Sequence, residues 1–231
     1  MRANSHAPAT AMRCGLFGGT FDPLHRGHAL AAREVLQLFE LDCIYFIPSA
    51  LPPHKLQGPL APARDRLEMI RRALQATSRL LVSDLEIRRT GPSYTIDTLR
   101  AFQAAPGTPQ RLFFLLGLDA FLELHTWRAY RQVLDIAALI IMSRPMPRRS
   151  RLSLRETAAD YARRHLSDRY QWSKEGDVLR HPVKRPLYLA RVTPMDIASS
   201  YIRAQAGRGA SIDRWVAPSV AQYIHSRGLY R

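Results

Sequence analysis

A chain of 231 residues, 46% hydrophobic and 23% charged, has the length and composition of one folded domain, which excludes wholesale disorder, a collagen-like repeat and a disulfide scaffold. Its apolar runs, Leu112–Leu118 and Ala137–Met142, fall far short of the roughly 18 residues of a membrane span, so no membrane association is expected. The 34 Lys and Arg, all but three of them Arg, outweigh 19 Asp and Glu to give +15; they are spread along the chain rather than gathered in a stripe, which argues for attracting phosphorylated small molecules and against nucleic acid.

Residues 1–11 are small and polar without an apolar segment, so a disordered tail is expected there, with Met12 as an alternative start. Residues 12–231 are expected to form a single α/β domain, because strand-length apolar runs alternate from Met12 onward with segments of helical period. Arg13–Phe17 predicts a strand ending on Gly18-Gly19, and His25–Leu38 a helix with Leu30, Val35, Leu36 and Leu38 available for an inner face. Cys43–Ile47 predicts a second strand, and Ala63–Ala76 a helix with Leu67, Ile70 and Leu74 on one face and arginines on the other. Leu80–Ile87 alternates as a more exposed strand does, and Tyr94–Ala104 is helical. Arg111–Leu116 and Ala137–Met142 leave no wet face and predict buried strands on either side of a helix over Asp119–Leu134. The pattern loosens through residues 145–185; Arg144, Arg148, Arg149, Arg151 and Arg155 are expected on a solvated loop, and Leu152–His165 on a surface helix. Pro186–Val192 predicts the last strand, before helices near Ser199–Ala206 and Pro218–Arg227.

Strands separated by helices imply a mostly parallel, doubly wound, Rossmann-like sheet with helices on both faces, whose ligands bind beyond the carboxyl ends of the strands. Cys14 and Cys43 lie inside strand segments and, with no secretory signal, read as reduced, buried thiols of a cytoplasmic protein; a bridge between them is the weaker option.

The loop Gly18-Gly19-Thr20-Phe21-Asp22-Pro23-Leu24-His25-Arg26-Gly27-His28 joins the first strand to the first helix. Paired glycines allow a sharp turn and close approach of a ligand, and the following helix start offers free N–H groups suited to phosphate. His25 and His28 are three apart and share one side of the first helical turn, where an imidazole N–H stabilises charge on a phosphoryl oxygen. Beyond the second strand, Pro52 and Pro53 stiffen a loop that presents Lys55, a movable point charge. Ser93 is a candidate N-cap ahead of Tyr94 and Thr95, and bare N–H groups there suit a carboxylate.

The first loop resembles the G-G-T-F-D-P-x-H-x-G-H signature of bacterial nicotinate-nucleotide adenylyltransferases, within the wider H-x-G-H nucleotidyltransferase group, and all nine fixed positions match. The segments Pro52-Pro53-His54-Lys55, Pro92-Ser93-Tyr94-Thr95, Gly117-Leu118-Asp119, Ile197-Ala198-Ser199-Ser200-Tyr201-Ile202-Arg203 and Gly228-Leu229-Tyr230-Arg231 follow in the family's order. The resemblance implies that Gly18, Gly19, Thr20, Phe21, His25, His28, Gly117, Asp119, Ile197, Ser200 and Arg203 meet ATP. It implies that Lys55 meets a phosphate, that Tyr94 and the Thr95 backbone hold the nicotinate carboxylate, and that Trp127 stacks on the cationic pyridine ring. His25, His28, Lys55 and Arg203 are the implied catalytic groups. Ala198 replaces a serine of the family pattern, Ser200 a threonine, and Arg128 the common tyrosine after the tryptophan.

The implied activity is transfer of AMP from ATP to nicotinate mononucleotide in NAD biosynthesis, giving nicotinate adenine dinucleotide and pyrophosphate by direct in-line attack without a covalent enzyme intermediate. Mg²⁺ is expected to arrive on the ATP phosphates, since no acidic cluster forms a protein metal site. A homo-oligomer is compatible with this reading. Phosphopantetheine adenylyltransferase is the alternative enzyme, although its loop usually carries threonine where His25 stands. An aminoacyl-tRNA synthetase would need a K-M-S-K-S-like loop that the chain lacks. A basic RNA-binding module would need the interleaved aromatics of an RNA-reading sheet, which are not evident.

Overall fold

The computed structural model describes residues 11–51, 60–105, 110–143, 153–174 and 176–231. Residues 1–10 of the tail expected over 1–11, Lys55 with its prolines, and Arg144, Arg148, Arg149 and Arg151 lie outside them. The described residues form a continuous sheet of β1 (Met12–Gly19), β2 (Cys43–Pro48), β3 (Leu80–Val82), β4 (Gln110–Gly117), β5 (Ala138–Met142), β6 (Gln171–Trp172), β7 (Val178–Arg180) and β8 (Leu187–Ala190). The spatial order is β3-β2-β1-β4-β5-β8-β7-β6. Pairings from β3 through β8 are parallel, whereas β7 and β6 add on as antiparallel strands.

Alternation along the strands sends side chains to two cores. Leu112, Phe114, Leu116, Leu139 and Ile141 face one side, against α4 (Thr95–Gln103), α5 (Leu118–Leu122), α6 (Tyr130–Ile136) and α7 (Leu154–Tyr161). Phe113, Leu115, Ala138 and Ile140 face the other, against α1 (Arg26–Leu38) and α2 (Ala63–Leu74). A third cluster joins Met69 of α2 to Ile202 of α8 (Ser199–Gly207) and to Val220 and Ile224 of α9 (Pro218–Ser226). The doubly wound, mostly parallel architecture expected from the sequence is present. Its strand order reverses between β1 and β4, and the crevice that binds ligands in such sheets lies beyond the carboxyl ends of those two strands.

Four local expectations are corrected. The strand expected over Leu80–Ile87 stops at Val82: Ser83 Oγ accepts the Leu85 N–H (3.3 Å), Arg88 pairs with Asp84 (2.9 Å), and the chain makes one helical turn, α3 (Leu85–Arg88). The helix expected over Asp119–Leu134 is broken, with α5, a 3₁₀ turn at Leu124–Thr126 and α6 separated by Trp127 in extended and Ala129 in left-handed backbone (φ 52°). The segment expected as a surface helix carries Ala158, Ala159, Tyr161 and Ala162 into the core and ends in a π-helical turn at Ala162–Leu166. Arg155, expected on a solvated loop, lies on α7, stacked over Trp172 (4.1 Å) and paired with Asp177 (3.0 Å).

Leu139 lies in a central strand with none of its surface exposed. Leu139→Ala should lower unfolding free energy by about 2–5 kcal/mol through lost transfer energy and the cavity left behind. Urea denaturation checks this, and a change below about 1 kcal/mol would contradict the packing described.

Candidate active site at the carboxyl ends of the first and fourth strands

The loop leaving β1 is assembled around two histidines. His25 is the N-cap of α1, its Nδ1 accepting the His28 backbone N–H (3.4 Å), while the His25 N–H donates to His28 Nδ1 (3.3 Å). The rings stack with centroids 3.6 Å apart and planes inclined by 23°. Because both Nδ1 atoms accept, a neutral ring at either position carries its proton on Nε2. Gly27 has its reason here. A Cβ at that position would lie 3.1 Å from His25 Nδ1, a tight contact that glycine avoids where His25 folds back over the helix start.

Phe21, at φ 49° and buried, turns its ring into the core against Phe17 (5.3 Å) and His28 (5.3 Å). Beneath the loop lies Arg66, 1% exposed. Its guanidinium donates to the carbonyls of Thr20 (2.8 Å), Ala50 (3.3 Å) and Ala61 (3.0 Å), joining the loops that leave β1 and β2 to the segment before α2. Burial lowers the Arg66 pKa, and Asp22 opposes that shift. Asp22 is itself 2% exposed, its Oδ1 accepting from Tyr230 Oη (2.7 Å) and the Ala61 N–H (3.3 Å).

Arg203, on α8, faces the same carboxylate. Its Nη1 donates to the Asp22 backbone carbonyl (2.9 Å), and its Nε stands 3.7 Å from Asp22 Oδ2. With Ala198 at the N-cap, α8 has no side-chain cap; Ser199 Oγ donates instead to the Pro23 carbonyl (3.1 Å), and Ser200 is exposed in the first turn beside half-buried Ile197. The helix start is thereby held against the histidine loop with its own N–H groups uncapped by side chains.

The second half of the site lies across Phe114. A Cβ at Gly18 would lie 3.3 Å from the Phe114 ring, and Trp127 meets that ring edge-on at 6.0 Å. One phenyl group thus separates the first loop from the tryptophan. The turn carrying Trp127 is fixed by Tyr161, whose hydroxyl accepts the His125 N–H (2.9 Å) and lies 3.0 Å from His125 Nδ1. Arg128 is stacked over Tyr94 (4.7 Å). Gly117 caps α5 at the end of β4, and Asp119 is exposed in that first turn.

The expectation that Ser93 caps the third helix is corrected. Tyr94 is the N-cap of α4 and lacks a side-chain cap bond, leaving the N–H groups of Thr95 and its turn without one. Ser93 Oγ accepts the Ala50 N–H (2.9 Å) and ties α4 to the loop after β2, whose Ser49 N–H donates to Gly19 O (3.0 Å). Glu86, buried below, accepts from Thr98 Oγ1 (2.6 Å). Lys55 lies outside the described residues. The structure therefore brings His25, His28, Thr20, Ser199 and Arg203 around one corner and Trp127 within a ring's width of it, with Tyr94 and Thr95 beyond.

Arg66, Tyr161 and Tyr230 are the supports that sequence reasoning misses. Tyr230 stands in a segment that follows the family's order, and Arg66 leaves a signal of its own, since it is four residues before Ile70 and so shares the inner face rather than the outer one assigned to the arginines of that helix.

A strand–loop–helix cradle at the switch point with an H-x-G-H pair defines a nucleotidyltransferase, and the cytidylyltransferase-like family model matches residues 16–205. A protein of Desulfatibacillum aliphaticivorans named "Probable nicotinate-nucleotide adenylyltransferase" is 42% identical over 95% of this chain and 100% of its own length. One of the same name from Chromobacterium violaceum is 36% identical over 95% and 99%. The chain belongs to the nicotinate-nucleotide adenylyltransferase family. Its fold is also that of the Plasmodium falciparum nicotinic acid mononucleotide adenylyltransferase solved in complex with NaAD, with a TM-score of 0.69, 18% identity, and 95% and 97% of the two chains covered. Among the described residues no helix is long and apolar enough to cross a membrane.

Burial pushes the Glu86 carboxyl above its ordinary value of 4.5, against the pull of Thr98, Ser93 and Arg89. The folded state then holds this proton more tightly than the unfolded chain. The associated stability is full below about 4.5 and is lost as pH rises through the raised folded value. Glu86→Gln should gain stability relative to the parent as pH rises above about 4.5, read as a smaller fall in melting temperature over that rise. Parallel profiles for the two proteins would refute the assignment.

Proposed function

We propose that this chain transfers the adenylyl group of ATP to nicotinate mononucleotide, releasing pyrophosphate and forming nicotinate adenine dinucleotide. The carrying observation is the reciprocal His25–His28 cap at the switch point, facing a helix that brings Arg203 to the same loop. In this reading a phosphate oxygen of the mononucleotide attacks the α-phosphorus of ATP, and the bond to the bridging oxygen of the β-phosphate breaks as the pyrophosphate leaves. Charge grows on phosphoryl oxygens, so what the site must supply is alignment and donors fixed in advance. The two Nε2–H groups, Ser200, Arg203 and the backbone from Gly18 to Phe21 are the donors we assign to the triphosphate, with Lys55 serving the phosphates from its own loop. Gly117, Asp119 and Ile197 are assigned to the nucleotide.

Trp127 supports the choice of the second substrate. It is half-buried against Phe114 and offers an aromatic face suited to a cationic pyridine ring, with the uncapped start of α4 at Tyr94 and Thr95 suited to its carboxylate. Magnesium enters this reading as part of the ATP substrate. Asp22 is buried with its Oδ1 held by Tyr230 and the Ala61 N–H, so this lone carboxylate makes no cage, and Mg²⁺ is an ion that leans on phosphate oxygens and water. A reducing, cytoplasmic setting is supported by Cys14 and Cys43, which are unlinked thiols with sulfurs 3.4 Å apart.

The direct test measures pyrophosphate release with nicotinate mononucleotide, nicotinamide mononucleotide and phosphopantetheine side by side; activity confined to phosphopantetheine would overturn the reading. His28→Ala should lower kcat by roughly 10²-fold or more, the usual loss of a transition-state donor. An unchanged kcat in the folded variant removes His28 from the mechanism. Trp127→Ala should raise KM for the mononucleotide and leave KM for ATP near its parent value; equal changes in both would contradict stacking.

A further inference from the structure

We propose that Tyr230 is a positioning residue for ATP binding, acting through Asp22 to hold Arg203 with one edge of its guanidinium turned to the triphosphate. The proposal rests on the assignment of Arg203 to phosphate made above. Tyr230 lies past α9, far from the loop in sequence, yet it touches both parts of the phosphate corner. Its hydroxyl donates to Asp22 Oδ1 at 2.7 Å. Its backbone carbonyl presses on the last turn of α8, where a Cβ on Gly207 would come within 2.6 Å of that oxygen, so no residue with a side chain fits there unless the two segments separate. Tyr230 is also in the left-handed region (φ 70°), an uncommon conformation for an aromatic residue that the fold must impose, and such departures concentrate where geometry matters for function.

The consequence for Arg203 follows from the shape of the junction. Asp22 Oδ2 is buried and accepts no hydrogen bond, and the nearest guanidinium nitrogen assigned to it is Arg203 Nε at 3.7 Å. The ion pair is thus incompletely closed. Arg203 is tethered by Nη1 on the Asp22 carbonyl at 2.9 Å, and the tyrosine hydroxyl meets much of the carboxylate's demand for donors. Remove that hydroxyl and Asp22 keeps one N–H at 3.3 Å, a poor complement for a buried charge. Arg203 is the nearest mobile donor, and closing the remaining gap to the carboxylate draws its guanidinium off the phosphates. Burial, reinforced by Asp22, holds the Tyr230 hydroxyl well above its ordinary pKa, which keeps it a donor at working pH.

Tyr230→Phe retains the ring and removes the donor. Direct binding of a non-hydrolysable ATP analogue, measured by calorimetry, should weaken about tenfold, and KM for ATP should rise in parallel while KM for the mononucleotide stays within about twofold. Arg203→Ala should weaken analogue binding as well, and adding Tyr230→Phe to it should cost nothing further, because the two act through one contact. Gly207→Ala approaches the same junction from the helix side and should reproduce the ATP-selective loss if Tyr230→Phe proves too unstable to assay. Unchanged analogue affinity in either folded variant, equal loss toward both substrates, or multiplying effects of Tyr230→Phe and Arg203→Ala would overturn the proposal. Should the parent protein bind the analogue yet release no pyrophosphate with nicotinate mononucleotide, the substrate reading fails while the binding comparison still judges the role of Tyr230.

Discussion

A guanidinium sealed beneath the first loop is the interaction on which the site depends. Backbone carbonyls in a buried loop must find donors, and Thr20, Ala50 and Ala61 lie just beyond the ends of β1 and β2 and just ahead of α2, where ladder and helix bonds stop. Arg66 supplies the donors to all three. Taking its charge out of water is expensive, and the compensation comes from nearby Asp22 and from the three carbonyls. Because Asp22 in turn receives Tyr230 and faces Arg203, a single desolvated pair of charges fixes the first loop, the loop after β2 and α8 relative to one another. Such an arrangement suits chemistry in which the protein contributes alignment rather than a bond-forming group.

The same economy is visible at the histidines. Each imidazole uses Nδ1 to close the helix start, so the groups we assign to the phosphates also terminate the element that presents them. Side chains that cap are held in one rotamer by their own hydrogen bonds, and donors fixed in advance lose little orientational freedom when a phosphate arrives. The excess of arginine acts at longer range. Its field favours approach of phosphorylated ligands, whereas Arg203 and Arg66 act through particular contacts.

Much of the frame was legible in the sequence because burial on both faces leaves so plain a mark. The apolar runs of β4 and β5, the alternation of strand and helix, and the glycine-histidine loop all follow from local patterns. Elements whose conformation is decided by distant partners were not legible. Leu80–Ile87 reads as a strand by alternation, but its second half turns helical so that Glu86 can meet Thr98. The interruption at Trp127 depends on Tyr161 reaching across from α7, and no spacing within Asp119–Leu134 announces it. Tyr230 could not be tied to Asp22 from sequence, since the two are 208 residues apart and only the packing of α9 and α8 makes them neighbours. Arg66 could have been read, because it shares a helical face with Ile70, had that inner face been allowed a charged residue.

Phe114 has a further meaning. Its ring lies between Gly18 and Trp127, so the interval between the first loop and the tryptophan is set by the width of one benzene ring. A residue that passes for ordinary filling in a β-strand therefore serves as a gauge block. Trimming or enlarging it would change how far Trp127 stands from Gly18, with neither of those residues altered.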